Sequence, residues 1–585
     1  MKQHIESIVQ TAVKQLQEAG ELPAMPAFIQ IDTTKDKSHG DFATNIALIL
    51  AKPAQKKPRE IAESIVASLP ESAYISKVEV AGPGFINFFL SAEALNEVVI
   101  KVLTEKEQYG HSKIGRGKRI LVEFLSSNPT GPLHVGHGRH AAFGAVVCNL
   151  LHAVGFKPYR EYYVNDAGRQ MDILAASVWL RYLMLTSSQV PFPANAYKGE
   201  YVIQIARELH ERHGAQFHVP TQQVLEHLPP DEADGGDKET YIDAVIARAQ
   251  TLLGPANYQI IFDHALASIL DDISQDLAEF GVQYDNWFSE RELVATDAVD
   301  KLIAKLQENG HVYEQEGALW FRSSQFGDEK DRVLVRSNGT RTYFANDAAY
   351  HLNKFERGFD IVVDIFGSDH HGYVPRMKAA MEASGINPER LVYLLVQFVT
   401  LYRGGLQAQM STRSGNFVTL RELREEVGND AARYFYVMRK SEQHIDFDLD
   451  LAKSKSNENP VYYVQYAHAR ICSVFKQLAE REWQYDQALG LANVHRLVEP
   501  HERQLLNTLA RYPDMIMNAA VHYEPHQLTN YLRDIATDFH SYYNSHQFLV
   551  DDPALRHARL ALISATQQVL LNGFGLLGIT APETM

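Results

Sequence analysis

Arg119-Ile120-Leu121-Val122-Glu123-Phe124, then Leu125-Ser126-Ser127-Asn128-Pro129-Thr130-Gly131-Pro132-Leu133, then His134-Val135-Gly136-His137-Gly138-Arg139, is the stretch on which the fold turns. Its first six residues are an apolar run of strand type, and the Ser, Asn, Pro and Gly after them are loop formers. From Val135 to Ala153 apolar residues recur at helical spacing, and Gly155 stands where a left-handed stop is expected. A second strand, Tyr159–Val164, ends at Asn165-Asp166-Ala167-Gly168. The unit is βαβ. Its crossover is right-handed in nearly all proteins, so a parallel sheet with ligands at the strand C-termini is predicted. That sheet resumes at Asp360–Phe366, which runs into Gly367-Ser368-Asp369-His370-His371.

His134 and His137 therefore fall at a helix N-terminus, where unpaired backbone N–H groups and the helix dipole favour an anion. Both imidazoles can donate hydrogen bonds to phosphate oxygens as charge builds up in a displacement at phosphorus, and Gly136 leaves room for a flat base. Two rival uses fail on geometry. Gly136-x-Gly138-x-x-Ala141 has the letters of a dinucleotide fingerprint, but that loop should follow its strand at once, and here Leu125 to Leu133 intervene. A zinc site from His134, His137 and His140 fails because the first and third point roughly 120° apart on a helix.

At 585 residues the chain calls for several domains. With 45% apolar and 22% charged residues its composition is that of a soluble globular protein, no apolar run is long enough to span a bilayer, and Met1 to Glu6 lack a secretory h-region. A cytoplasmic location and no membrane partner are expected. Cys148 and Cys472, far apart, exclude a disulfide framework and a cysteine-based zinc module. The net charge of −16 argues against an indiscriminate nucleic-acid coat, yet leaves room for a binder whose cations are grouped on one face. Two such groups stand out: Lys52, Lys56, Lys57 and Arg59, and Lys113, Arg116, Lys118 and Arg119.

Residues 1–112 read as an α+β unit opened by an amphipathic helix (Ile5, Ile8, Val9, Ala12, Val13, Leu16), with helix again from Ala43 to Leu50 and strands at Val78–Val80 and Phe85–Leu90. Residues 113–400 read as a Rossmann-like, doubly wound parallel-sheet domain interrupted by an insertion at about 185–290. Residues 401–452 form a connecting region. From 453 to 585 the pattern is all-α.

Three further constellations carry chemistry. Gly367-Ser368-Asp369-His370 follows an apolar strand, where a glycine admits a base and a carboxylate accepts from ribose hydroxyls. Gln409-Met410-Ser411-Thr412-Arg413-Ser414-Gly415-Asn416 is a polar loop with one cation, ahead of a helix predicted from Leu420 to Val427; loops of this kind close on phosphates. Tyr343 and Asp347, at i and i+4, share a helix face, and the carboxylate could pair with a planar guanidinium.

With these motifs in order, the chain resembles the bacterial arginyl-tRNA synthetases, which are class I aminoacyl-tRNA synthetases. The likeness is carried by Gly40-Asp41-Phe42-Ala43-Thr44-Asn45, by Ser127 to Arg139, by Tyr162 to Gly168, by Gly367 to Tyr373 and by the closing Leu576-Leu577-Gly578-Ile579-Thr580-Ala581-Pro582-Glu583. It implies that arginine and ATP, accompanied by Mg²⁺, give arginyl-adenylate and diphosphate, and that arginine then passes to the terminal adenosine of its tRNA. It further implies a tRNA-contacting N-terminal domain, an anticodon-binding C-terminal domain, a monomer, no protein-bound zinc, and a need for tRNA before the adenylate forms. By motif match, Asn128 with Ser126 holds the α-amino group, and Tyr343, Asp347 and Glu123 surround the guanidinium. His134 and His137 stabilise the phosphates, with His137 also near the amino acid. Gly136, Gly367, Asp369 and His370 accommodate adenosine, with Met410 and Ser411 over the ATP. Tyr462, Gln465 and Tyr466 are candidates to meet unstacked anticodon bases.

One departure matters. Gln409 and Thr412 occupy both lysine positions of the second class I signature, and Gly131 stands where a compensating lysine is found in related proteins. Arg413 is the candidate cation for the leaving diphosphate. Two other readings use the same residues: a free-standing nucleotidyltransferase, which would have no need of the helical C-terminal third, and a non-catalytic paralogue, supported only by the missing lysines.

Overall fold

Five strands make the central sheet: Arg119–Phe124 (β1), Lys157–Val164 (β2), Asn286–Ser289 (β3), Ile361–Gly367 (β4) and Leu391–Val396 (β5). The computed structural model describes residues 1–585 except 24–28, 35–36, 187–189 and 409–417. All four strand pairings are parallel, in the order β5-β4-β1-β2-β3. The order reverses direction beside β1, so a crevice opens between the C-terminal ends of β1 and β4, the place where such sheets bind ligands. Both faces are covered by helices, which is why Ile120, Leu121 and Val122 are all fully buried rather than alternately so.

The helix between β1 and β2 is Val135–Ala153 (α1), with the limits that periodicity predicts. Three helices, Arg169–Met184, Glu200–His213 and Lys238–Glu279, lie between β2 and β3; the last is bent at Gly254 (φ 74°), just ahead of Pro255. Helix Tyr343–Glu356 (α2) precedes β4 and covers one face of the sheet. A small antiparallel sheet, Val312–Gln315, Ala318–Phe321 and Arg332–Val335, comes before it.

In the N-terminal part, helix Lys2–Glu18 buries the six apolar positions read from its periodicity. It packs with helices Ile46–Ala54 and Pro58–Ala67 around a four-stranded antiparallel sheet. One expectation is corrected there: Ala43 belongs to strand Phe42–Thr44, and the helix begins only at Ile46. Pairing of Phe42 with Phe88 and of Ala43 with Asn87 overrides local helix preference.

The C-terminal part is a bundle that includes Pro460–Glu480, Pro500–Ala510, His526–Ser545 and Pro553–Leu577. Pro553–Leu577, 25 residues long, is apolar enough to cross a membrane by length and composition, which corrects the reading of the sequence on that point. Here it is a core helix, with Leu560, Leu562, Ile563, Val569 and Leu570 fully buried. The bundle is tied to the sheet domain by side chains that reach backbone carbonyls. Asn149 Nδ2 donates to Leu576 O (2.9 Å), and Arg433 donates to Leu577 O (2.8 Å) and Phe280 O (2.7 Å). Tyr109 Oη reaches Leu509 O (2.9 Å) from the N-terminal side.

Candidate active site

The N-terminus of α1 is capped by its own histidines. His134 is the N-cap, and its Nδ1 accepts from the backbone N–H of Gly136 (3.1 Å) and of His137 (3.3 Å). His137 Nδ1 accepts from His134 N–H (3.3 Å), so the two rings form a capping box and stack with centroids 3.5 Å apart. Since each Nδ1 accepts, the proton of each neutral ring is on Nε2. Burial lowers the pKa of both rings, and that of His137 well below the usual value. They are therefore neutral Nε2–H donors at pH 7.

Gly136 has a tighter reason to be glycine than access for a base: a Cβ there would lie 2.9 Å from His134 Cε1 and prevent the ring from folding back on its cap. Gly138 has another. A Cβ there would stand 2.7 Å from both Leu420 Cδ1 and Tyr436 Cε2. That close approach lets the segment after the polar loop zip onto the histidine helix. Val135 N–H donates to Val418 O (3.2 Å), Leu420 N–H donates to Leu133 O (2.8 Å), and His134 and Thr419 form a bridge. Helix Leu420–Val427 begins there, with Thr419 and Glu422 as its capping box. Met410, Ser411 and Arg413 lie outside the described residues.

A cavity of about 650 Å³ opens at the C-terminal ends of β1 and β4. It is lined by Glu123, Ser126, Asn128, His134, Gly136 and His137 on one side and by Asp347, Gly367, Asp369 and His370 on the other. A neighbouring cleft of about 410 Å³ shares Asn128, His134 and His137 with it and continues toward Tyr197, Tyr201 and Lys238. Asn128 is exposed to both, its Oδ1 accepting from Asn165 Nδ2 (3.1 Å). Leu125 and Ser126 have φ of 73° and 41°, a left-handed pair just after β1 that turns the chain over the cavity. Ser126 Oγ donates to Glu123 Oε1 (3.1 Å) and accepts from Tyr163 N–H (3.0 Å), so its hydroxyl braces the wall rather than standing free.

Asp347 lines the cavity, and burial pushes its carboxyl up to about 7. Tyr343, expected beside it, is not brought there: its side is 71% exposed and outside the cavity lining. As the first residue of α2 it projects outward, and the tyrosines that line the cavity are instead Tyr163, Tyr350, Tyr373 and Tyr393. Spacing alone misses these four, although Tyr350 stands three residues after Asp347 on the same helix.

Glu123 is buried and already paired. Lys354 Nζ, itself fully buried, lies 2.6 Å from Glu123 Oε2 and 2.7 Å from Asp364 Oδ1. Burial raises the Glu123 carboxyl, with Lys354 pulling it back. Burial alone would raise Asp364 too, but Lys354 and His351 outweigh it and hold that carboxyl below its usual range. His351 Nε2 is 2.8 Å from Asp364 Oδ2, and its Nδ1 is 2.7 Å from Asp347 O. This wall of the cavity thus holds Asp347, with no ion-pair partner among the described residues, beside a carboxylate whose charge is met from within.

In the helical bundle, Tyr462 and Tyr466 stack along Pro460–Glu480 (5.8 Å), and Arg470 lies over the Tyr466 ring (4.5 Å). Gln465, expected with them at a base, is buried and turned inward. Its Nε2 donates to Asp430 (2.7 Å) and to Thr580 O (3.0 Å).

Residues 98–190 and 253–460, which hold the parallel sheet, the histidine-capped helix after its first strand and the glycine–carboxylate turn after its fourth, match the family model described as class I (R) tRNA synthetases, catalytic domain. Flanking it, the arginyl tRNA synthetase N-terminal domain matches 3–90 and the DALR anticodon binding domain matches 464–585. The chain belongs to the arginyl-tRNA synthetase family. It is 60% identical to the arginine–tRNA ligase of Thioalkalivibrio sulfidiphilus and 56% identical to that of Legionella pneumophila strain Paris, over all of each chain. The solved arginyl-tRNA synthetase of Thermus thermophilus shares the fold over all of both chains, with a TM-score of 0.75 at 23% identity.

Proposed function

We propose that the protein is an arginine–tRNA ligase: it converts L-arginine and ATP to arginyl-adenylate and diphosphate, then transfers arginine to the 3′-terminal adenosine of its tRNA, releasing AMP. The observation that carries this reading is that the His134/His137 donors and the half-buried carboxylate of Asp347 line one cavity. Mg²⁺ enters with ATP as part of the substrate. Asn128 orients the α-amino group so that the α-carboxylate faces the α-phosphorus of ATP, whose adenosine lies along Gly136, Gly367, Asp369 and His370. As carboxylate oxygen attacks and diphosphate leaves, the Nε2–H groups of His134 and His137 stabilise the charge gathering on phosphate oxygens. The ribose hydroxyl of the tRNA then attacks the activated carbonyl carbon, and AMP departs. The cleft toward Tyr201 gives the acceptor end a way in.

The N-terminal unit (1–112) and the helical unit (453–585) would hold the tRNA, with Tyr462 and Tyr466 offering rings to unstacked bases. A cytoplasmic monomer without resident zinc completes the reading. Arginine-dependent ATP–diphosphate exchange with and without tRNA tests it. Exchange only with tRNA supports the ligase; exchange without tRNA points to a free-standing nucleotidyltransferase, and none at all to a non-catalytic paralogue.

Arg413, with Met410 and Ser411, would cover the phosphates in place of the missing lysines. Arg413→Ala should lower the single-turnover adenylation rate at least about 100-fold while shifting arginine affinity little, because the cation meets charge that develops only as diphosphate leaves. An unchanged adenylation rate would sink this assignment.

A further inference from the structure

Glu161 on β2, Glu123 on β1 and Asp364 on β4 occupy one row of the parallel sheet: Glu123 is in register with Glu161 on one side and with Asp364 on the other. The row continues to Asn286 on β3 and Tyr393 on β5, so all five strands contribute a polar residue at one level. The three carboxylates are 0%, 3% and 0% exposed. On β1 and β4 their immediate neighbours, Val122 and Phe124 and Val363 and Ile365, are apolar and buried. A carboxylate row at the heart of a sheet has a high desolvation cost, and apolar residues of similar volume often serve stability as well or better.

Helix α2, its C-cap residue Arg357 and strand β3 supply what the row needs. Arg357 and Tyr350 reach Glu161, and Asn286 Nδ2 donates to it (2.9 Å). Lys354 bridges Glu123 and Asp364, and His351 takes the second oxygen of Asp364. Asp347, His351 and Lys354, at i, i+4 and i+7, fall on one face of α2. Asp347 is the carboxylate of this group with no ion-pair partner within 4 Å among the described residues, and it lines the cavity together with Glu123.

We propose that Lys354 is a positioning residue for arginine: by bridging Glu123 and Asp364 it fixes α2 on the sheet and meets the row's charge from within, leaving Asp347 as the carboxylate for the incoming guanidinium. This rests on the arginine–tRNA ligase reading and specifies how that site sets its charge. Lys354 touches no substrate; it acts through Glu123 and through the placement of Asp347. Groups that shape a site by holding its contact residues are typically worth 10- to 100-fold in function.

The test compares Lys354→Met with the double variant Lys354→Met/Asp364→Asn in the full chain with tRNA. Wild-type arginine-dependent exchange comes first; its absence would defeat the ligase reading and not this one. In Lys354→Met the KM for arginine should rise at least about 30-fold, while the KM for ATP stays within about threefold. Neutralising one of the two carboxylates that lose Lys354 in the double variant should recover at least about fivefold of the arginine KM, a rescue that general loosening would not produce. If Lys354→Met does not fold, the double variant alone is compared with wild type and should show the raised arginine KM with an ordinary ATP KM. The proposal is overturned if a folded variant keeps wild-type arginine KM, if arginine and ATP parameters fall together, or if neither variant folds, since Lys354 would then serve folding rather than positioning.

Discussion

Asp347→Asn should raise the KM for arginine by on the order of 10²–10³-fold in tRNA-dependent exchange, with the KM for ATP within about threefold of wild type. Losing one partner of a buried, hydrogen-bonded charge pair costs about 2–5 kcal/mol, and each ~1.4 kcal/mol is a factor of ten. The amide keeps the shape of the side chain and removes only its charge. A second signature follows from the carboxyl lying at about 7 in the empty site. Its protonated form predominates below that pH, and a guanidinium must then displace a proton to bind, so the arginine KM should rise by up to about tenfold per pH unit as pH falls from 7. In Asp347→Asn that slope should vanish. The stability effect has the opposite sign: with the folded-state value above the ordinary carboxylate value, ionising Asp347 in the empty protein weakens folding as pH rises from about 4 toward 7, and arginine relieves that penalty. Equal slopes in the two proteins would remove Asp347 from the guanidinium site.

His134→Asn should lower the adenylation rate about 10²- to 10³-fold with little loss of thermal stability. The two roles of this residue can be separated because asparagine is among the best N-cap residues. Its side-chain oxygen can accept the Gly136 and His137 N–H bonds that His134 Nδ1 now accepts. It cannot present an Nε2–H to phosphate. His134→Ala, which removes both, should add about 1 kcal/mol of instability to the same loss of rate. If His134→Asn retains wild-type adenylation, the ring is a cap and nothing more.

Much of this was legible in the chain because it is local. Arg119–Phe124, Val135–Ala153 and Leu420–Val427 coincide with their predicted limits, since each combines a clear apolar period with strong stop or cap residues. Asp347 could be read from a helix next to a strand, but its partner in that reading, Tyr343, could not be oriented from spacing at the very start of a helix, where one side is open to solvent. The row of carboxylates was less accessible still. Glu123 and Asp364 are side by side only because β1 and β4 pair across more than half of the catalytic region, and register between distant strands leaves no local pattern. A clue was present in a charge set inside the apolar run Ile361-Val362-Val363-Asp364-Ile365-Phe366, with Lys354 on the helix before it. The histidines were placed correctly at a helix start, yet their mutual capping depends on ring orientation, which no spacing rule supplies.

The carboxylate row also bears on how readily such a pocket could be retargeted. On the proposed arginine site an uncharged amino acid would need Asp347 replaced, but behind it Lys354 on α2 and Arg357 just past its end answer carboxylates on three different strands. Altering a member of the row itself strands a charge in the core, so any change that reaches behind Asp347 passes through destabilised intermediates unless strand and helix residues change together. Directed evolution by single steps should therefore make headway at Asp347 and stall at the row behind it.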